Sequence, residues 1–123
     1  MAFLNDRVFD EGLSVLDLEA NAVHVTSAEA TDYTEATSTY SLGSSSSLSI
    51  AAPTDRTGGG RKVSVTAIDD GTISGTGTVT HYALVDTTNS RLLATAALTA
   101  SQSVTSGNTF TLATFDIGIP DPS

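Results

Sequence analysis

The chain has no cysteine and no tryptophan, one methionine, three prolines and only five cationic residues against fourteen acids. Each shortage excludes something. Without cysteine there is no disulfide, no thiol nucleophile and no Cys-based zinc site, so packing or partner subunits must hold the fold. With so few Lys and Arg and a net charge of −9, there is no basic face to neutralise phosphates, which argues against nucleic acid and against an anionic membrane surface. No tryptophan and only three tyrosines leave little to stack on a sugar ring. No apolar run approaches the ~20 residues needed to span a bilayer. The first residues, Met1 to Arg7, lack the basic and apolar regions of a signal peptide. Synthesis in a cytoplasm is the expectation.

What is abundant is Ser and Thr, together roughly 30% of the chain. Thr favours strands, whereas Ser and Gly favour turns. At 123 residues the chain fits one domain, 1–123, with a single core. Residues 1–20 form an N-terminal segment able to act as a contact arm. In it Leu4, Val8, Phe9, Leu13 and Leu16 recur close to one helical face. The pattern fits a helix over residues 3–18; Gly12 interrupts it and favours the alternative, a shorter helix to Glu11 that ends at Gly12, with Leu13 to Leu18 extended.

The clearest signal is a hairpin. Thr80 to Asp86 and Arg91 to Leu98 are apolar runs flanking Thr87-Thr88-Asn89-Ser90. Tyr82, Ala83, Leu84 and Val85 make both faces of the first run apolar, which suits a central strand covered on both sides. Ala22 to Ser27 alternates as another strand, with His24 and Thr26 on its polar face. Thr37 to Leu42 reads as a short strand, Ser44 to Ser47 as a low-complexity patch, and Leu48 to Ile50 as alternating. Residues 28–36 read as an acidic surface loop. Residues 53–60, with three consecutive glycines, read as the most mobile loop. Lys62 to Ile68 alternates, and Asp69-Asp70-Gly71 signals a turn. Thr72 to Thr78, with Gly75 and Gly77, reads as an irregular edge strand. Thr99 to Asn108 is a polar connection with a strand-like Gln102-Ser103-Val104. In the last strand, Thr109 to Ile119, the alternation slips near Ala113-Thr114, as a β-bulge there would explain. The fold expected is all-β, a single antiparallel β-sandwich of about 7–8 strands with a short N-terminal helix. A small closed barrel is the alternative.

No constellation of residues supports an enzyme. The only histidines, His24 and His81, fit hydrogen-bonded structural roles, His81 with a neighbouring Thr or backbone group. Gly58-Gly59-Gly60-Arg61-Lys62 lacks phosphate-loop spacing and precedes a strand. Asp69 and Asp70 lack calcium-loop spacing and fit a turn. The acids at Asp6, Asp10 and Glu11, or Asp17 and Glu19, fit a solvated rim better than a hydrolytic pair. No catalytic, metal or cofactor residues are expected.

Gly77 to Asp86, then Arg91 to Val104, then Thr105 to Phe110, follow a plan of Thr-His, apolar strand, turn, Leu-rich strand ending in Ala-Leu, and Val-x-x-Gly-Asn-Thr-Phe. With the helix, the Val23/Val25 strand and the Thr34-Glu35-Ala36 loop before it, this plan resembles small virion proteins of tailed bacteriophages, variously labelled tail-fibre or minor structural proteins. The resemblance implies a virion location and a structural role, with no catalytic residues. Two versions follow: a capsid-surface decoration or cement protein binding the shell in many copies, or a tail or tail-tip component. The implied partners are other virion proteins, major capsid or tail, and further copies in a homo-oligomer. Residues 1–20 and the loops at 28–36 and 53–60 are the expected contact regions, with Phe3, Leu4, Arg7, Val8, Arg56 and Arg61 as contact residues.

Overall fold

A computed structural model describes residues 6–120, with side chains from residue 10 onward. Helix α1 spans Asp6–Glu19. The strands that follow are β1 (Ala22–Thr26), β2 (Ser41–Ser45), β3 (Thr54–Asp55), β4 (Arg61–Val65), β5 (Ile68–Ile73), β6 (Gly77–Asp86), β7 (Arg91–Val104), β8 (Thr109–Leu112) and β9 (Phe115–Ile119). All pairing is antiparallel, so the chain is all-β apart from α1 and one π-helical turn, as expected. Two compact units divide the strands. One comprises residues 20–48 and 68–112, the other residues 6–19, 49–67 and 113–120.

The larger unit holds a six-stranded sheet in the order β7-β6-β1-β2-β5-β8. The expected hairpin is its spine. β6 sits between β7 and β1, and Tyr82 to Asp86 are all buried. On one face Val23 pairs with Leu84 and Val25 with Tyr82; on the other Ala22 pairs with Val85 and His24 with Ala83. That second face is covered by residues 28–40, through Ala30, Ala36, Tyr33 and Tyr40. The side of β1 read as polar is therefore mostly enclosed. Thr26 is fully buried, and its hydroxyl donates to the Ala28 carbonyl at 2.8 Å.

The covering segment corrects the strand expected from Thr37. Glu35–Thr39 is instead a π-helical turn, closed by Tyr40 N–H on the Glu35 carbonyl at 2.9 Å. Side chains fix its entry: Asp32 Oδ1 accepts the Glu35 N–H at 2.8 Å, and Glu35 Oε1 accepts from Thr31 N–H and Oγ1. Such local side-chain bonds outcompete a ladder. The serine patch is also reassigned, since Ser44 and Ser45 belong to β2 and pair with β1.

Asp69-Asp70-Gly71 is strand rather than turn. It lies within β5, where the register shifts between Ile68 and Gly71. Gly71 pairs with Phe110, and a Cβ there would run into the Phe110 ring. The missing side chain makes room for the aromatic neighbour, which covers the glycine in return.

The smaller unit holds a three-stranded sheet, β3-β4-β9. Val63 pairs with Ile117 and Val65 with Phe115. Leu13 and Leu16 of α1 are buried, as are Val63 and Val65. The helix runs straight through Gly12, against the shorter helix favoured from sequence. Leu13 and Leu16 share one face and gain burial only as helix, which outweighs the cost of one glycine. The loop expected at 53–60 contains β3 and a hydrogen-bonded turn. The phase slip at Ala113-Thr114 is not a bulge. It is where the chain leaves β8 in one sheet and enters β9 in the other. The same happens at Thr66-Ala67, so the run Lys62 to Ile68 is two strands. No described helix is long and apolar enough to cross a membrane.

Two glycine substitutions test these assignments by chemical denaturation. A Cβ at Gly12 would make an ordinary 3.6 Å contact with Ile119 Cδ1, so Gly12→Ala should stabilise by about 0.5–1 kcal/mol. Gly71→Ala should destabilise by about 1–3 kcal/mol through overpacking against Phe110.

Candidate functional site

The expected contact residues are scattered. Phe3 and Leu4 lie outside the described residues. Arg7 and Val8 lie in α1, with their side chains outside that description. Arg56 and Arg61 are in the smaller unit, on the turn and on β4.

Arg61 faces α1 and is held there. Its Nε donates to Asp10 Oδ1 at 2.9 Å and its Nη1 to Asp55 Oδ1 at 2.7 Å. One guanidinium fork thus ties helix, β3 and β4 together. On the opposite face of β4, Lys62 Nζ meets Asp116 Oδ2 at 2.9 Å, and Ser64 Oγ donates to Asp116 Oδ1 at 2.6 Å. The bonds from Ser64 and then Lys62 hold the Asp116 carboxyl below its ordinary pKa. Arg56 bonds within its own turn, Nη1 to the Gly59 carbonyl at 3.0 Å. Gly58, Gly59 and Gly60 all have positive φ, and a Cβ on Gly60 would meet the Ile119 carbonyl. Glycine is required at this position because of both conformation and space. Arg56, Thr57, Lys62, Asp116 and Gly118 line a cleft of about 250 Å³. Among the described residues no carboxylate forms an ion pair with Arg56. On α1, Leu18 is 81% exposed and Val15 lies beside it, one turn back, also exposed.

The larger unit has a polar cleft of about 380 Å³ bordered by His24, Ser44 to Ser47, Asp70 and Thr72. Asp70 accepts from Ser47 Oγ at 2.5 Å and Ser45 Oγ at 2.9 Å, and those bonds, Ser47 first, lower its pKa. His24 Nδ1 lies 2.8 Å from Ser41 Oγ, and burial lowers its pKa. The histidine and the carboxylate bond different serines. Chemically, the arrangement pins a serine-rich strand to its neighbours. His81 Nδ1 lies 2.8 Å from Thr80 Oγ1, the neighbouring-Thr role expected of it.

Asp86, which sequence reading passed over, closes the hairpin. Its carboxylate accepts from Asn89 Nδ2 at 2.8 Å and from the Thr88 and Asn89 N–H groups at 3.0 and 3.3 Å. The signal was present: Asp opening a four-residue polar turn is a turn-forming pattern. The Asn89 side chain contributes most to holding its pKa down.

The more extensive feature is one of absence. Residues 87–115 contain no Asp or Glu, and they supply β7 and β8, both edges of the six-stranded sheet. All the acids of this −9 chain lie elsewhere. A scan against protein-family models, a search of curated proteins and a search of solved structures each return no match to the chain.

The lowered carboxyls set the direction of pH dependence. Asp70, Asp86 and Asp116 are held ionised in the folded state, so their contribution is complete above the ordinary carboxyl pKa of ~4 and is lost as pH falls through the lower folded values. His24 is held neutral, so its contribution is complete above 6.5 and declines as pH falls below it. Urea midpoints measured from about pH 7 down to about pH 2 should fall in two stages. His24→Gln should remove the upper stage, and Asp86→Asn should make the lower one smaller, leaving the share carried by Glu35, Asp70 and Asp116.

Proposed function

We propose that the chain is a structural protein of a tailed-bacteriophage virion, a decoration or cement protein that binds the capsid shell in many copies. The virion assignment rests on the resemblance carried by residues 77–110. The single structural observation that favours a binding subunit is the acid-free stretch 87–115 at both edges of the larger sheet. A strongly acidic chain repels its neighbours wherever acids face outward. A surface stripped of acids, and containing exposed backbone edges, is where other protein can approach.

Contact then falls mainly on β7 and β8, with the exposed Val15 and Leu18 of α1 as a second, apolar point of attachment. This differs from the loops at 28–36 and 53–60. The first packs over the sheet through Ala30 and Ala36, and the second folds back on itself through Arg56. Arg61 serves the internal network and is not part of the proposed contact.

Quantitative mass spectrometry of purified particles tests the proposal. A copy number comparable with that of the shell protein is expected. A handful of copies per particle would instead assign the chain to the tail, and absence from the particle would overturn the virion reading.

A further inference from the structure

Four strands are sheet edges among the described residues: β7 and β8 in the larger unit, β3 and β9 in the smaller. Edge strands offer unpaired N–H and C=O groups to any other strand, and proteins usually blunt them with brevity, charge or proline. Two of these edges are blunted by charge, and a third, β8, is short and uncharged. β3 has two residues and includes Asp55, β8 has four residues, and β9 carries Asp116 and ends against Pro120. β7 is different. It runs for fourteen residues with no acid, lysine or proline, and its only charge is Arg91 at the start.

β7 is irregular in two places. Its register against β6 shifts between Leu84 and Val85 and again between Val79 and His81, leaving Ala94 to Ala97 as an unbroken paired run opposite Leu84 to His81. Ala96 and Ala97 are exposed. The run is thus small-sided and uncharged, and the irregularities at either end limit the registers available to an added strand.

We infer that β7 is a self-association edge: two copies pair antiparallel through Thr95 to Ala97, with Ala96 opposite Ala96 on the two-fold axis, joining their six-stranded sheets into one. A second copy is the occupant the charge pattern fits. Each copy has net charge −9, and β7 is the long edge along which two such chains can meet without bringing acids together. Two-fold pairing is isologous, so one patch satisfies both partners. The inference stands independently of the virion reading, because the pair needs no shell.

The test uses the full chain and light-scattering chromatography over a concentration series. The wild type should be dimeric. Ala96→Asp and Ala96→Lys each place like charges opposite one another across the two-fold, so each should weaken the dimer by about tenfold or more. An equimolar mixture of the two should restore it as a heterodimer, provided both keep the wild-type circular dichroism. Because the chain has no cysteine, Ala96→Cys adds an independent readout, a single intermolecular disulfide formed on mild oxidation. A wild type that stays monomeric to its solubility limit would overturn the inference. So would a dimer indifferent to both charges, or an Ala96→Cys dimer that fails to cross-link.

Discussion

The pairing of β1 with β6 is the constraint on which the larger unit depends. Its two faces are buried by different means. Val23, Val25 and Leu84 fill one side with branched aliphatics, while Ala22, Ala83 and Val85 keep the other shallow enough for residues 28–40 to lie across it. A one-residue slip would exchange these faces, placing Val23 and Val25 under the covering segment and Ala22 and His24 in the aliphatic layer. Register is therefore set by volume as well as by hydrophobicity. The neighbours on either side, β7 through the hairpin and β2 through β1, inherit it. Asp86 closes the hairpin at the end of β6, and Asn21 braces the same turn through Thr87 N–H at 3.0 Å.

Strands whose burial is two-sided or strictly alternating were legible in the sequence: β1, β4, β6 and the first part of β7. What was not legible has a common physical cause. At Thr66-Ala67 and Ala113-Thr114 the chain passes from one sheet to the other; the first crossing lies inside a run that reads as continuous alternation, and the parity break at the second is ambiguous between a bulge and a change of sheet. Asp69-Asp70-Gly71 has turn chemistry, but Phe110 occupies the space above Gly71, and Ser45 of β2 and Ser47 just beyond it satisfy Asp70, so the segment stays extended. Ser44 and Ser45 look like linker, yet their neighbours on β1 and β5 supply the ladder. In each case residues distant in sequence decided the local structure. Gly12 is the reverse case, where a local breaker was overruled by the burial of Leu13 and Leu16.

The candidate contact residues show the same division. Arg61 was singled out as one of few cations, and the structure places it in an internal fork with Asp10 and Asp55. The more informative pattern was the distribution of acids. Their absence from 87–115 could be read directly from the sequence. It acquired meaning only once the topology put β7 and β8 at the two ends of one sheet.

Hydrogen exchange of the full chain, free at a dilution where it is monomeric and within assembled particles, tests most directly whether the acid-free edges are where this protein meets other protein. Slowed exchange concentrated in peptides from 87–115, with 53–60 unchanged, is the expected result. Unchanged exchange across 87–115, with protection confined to 28–36 or 53–60, would contradict it.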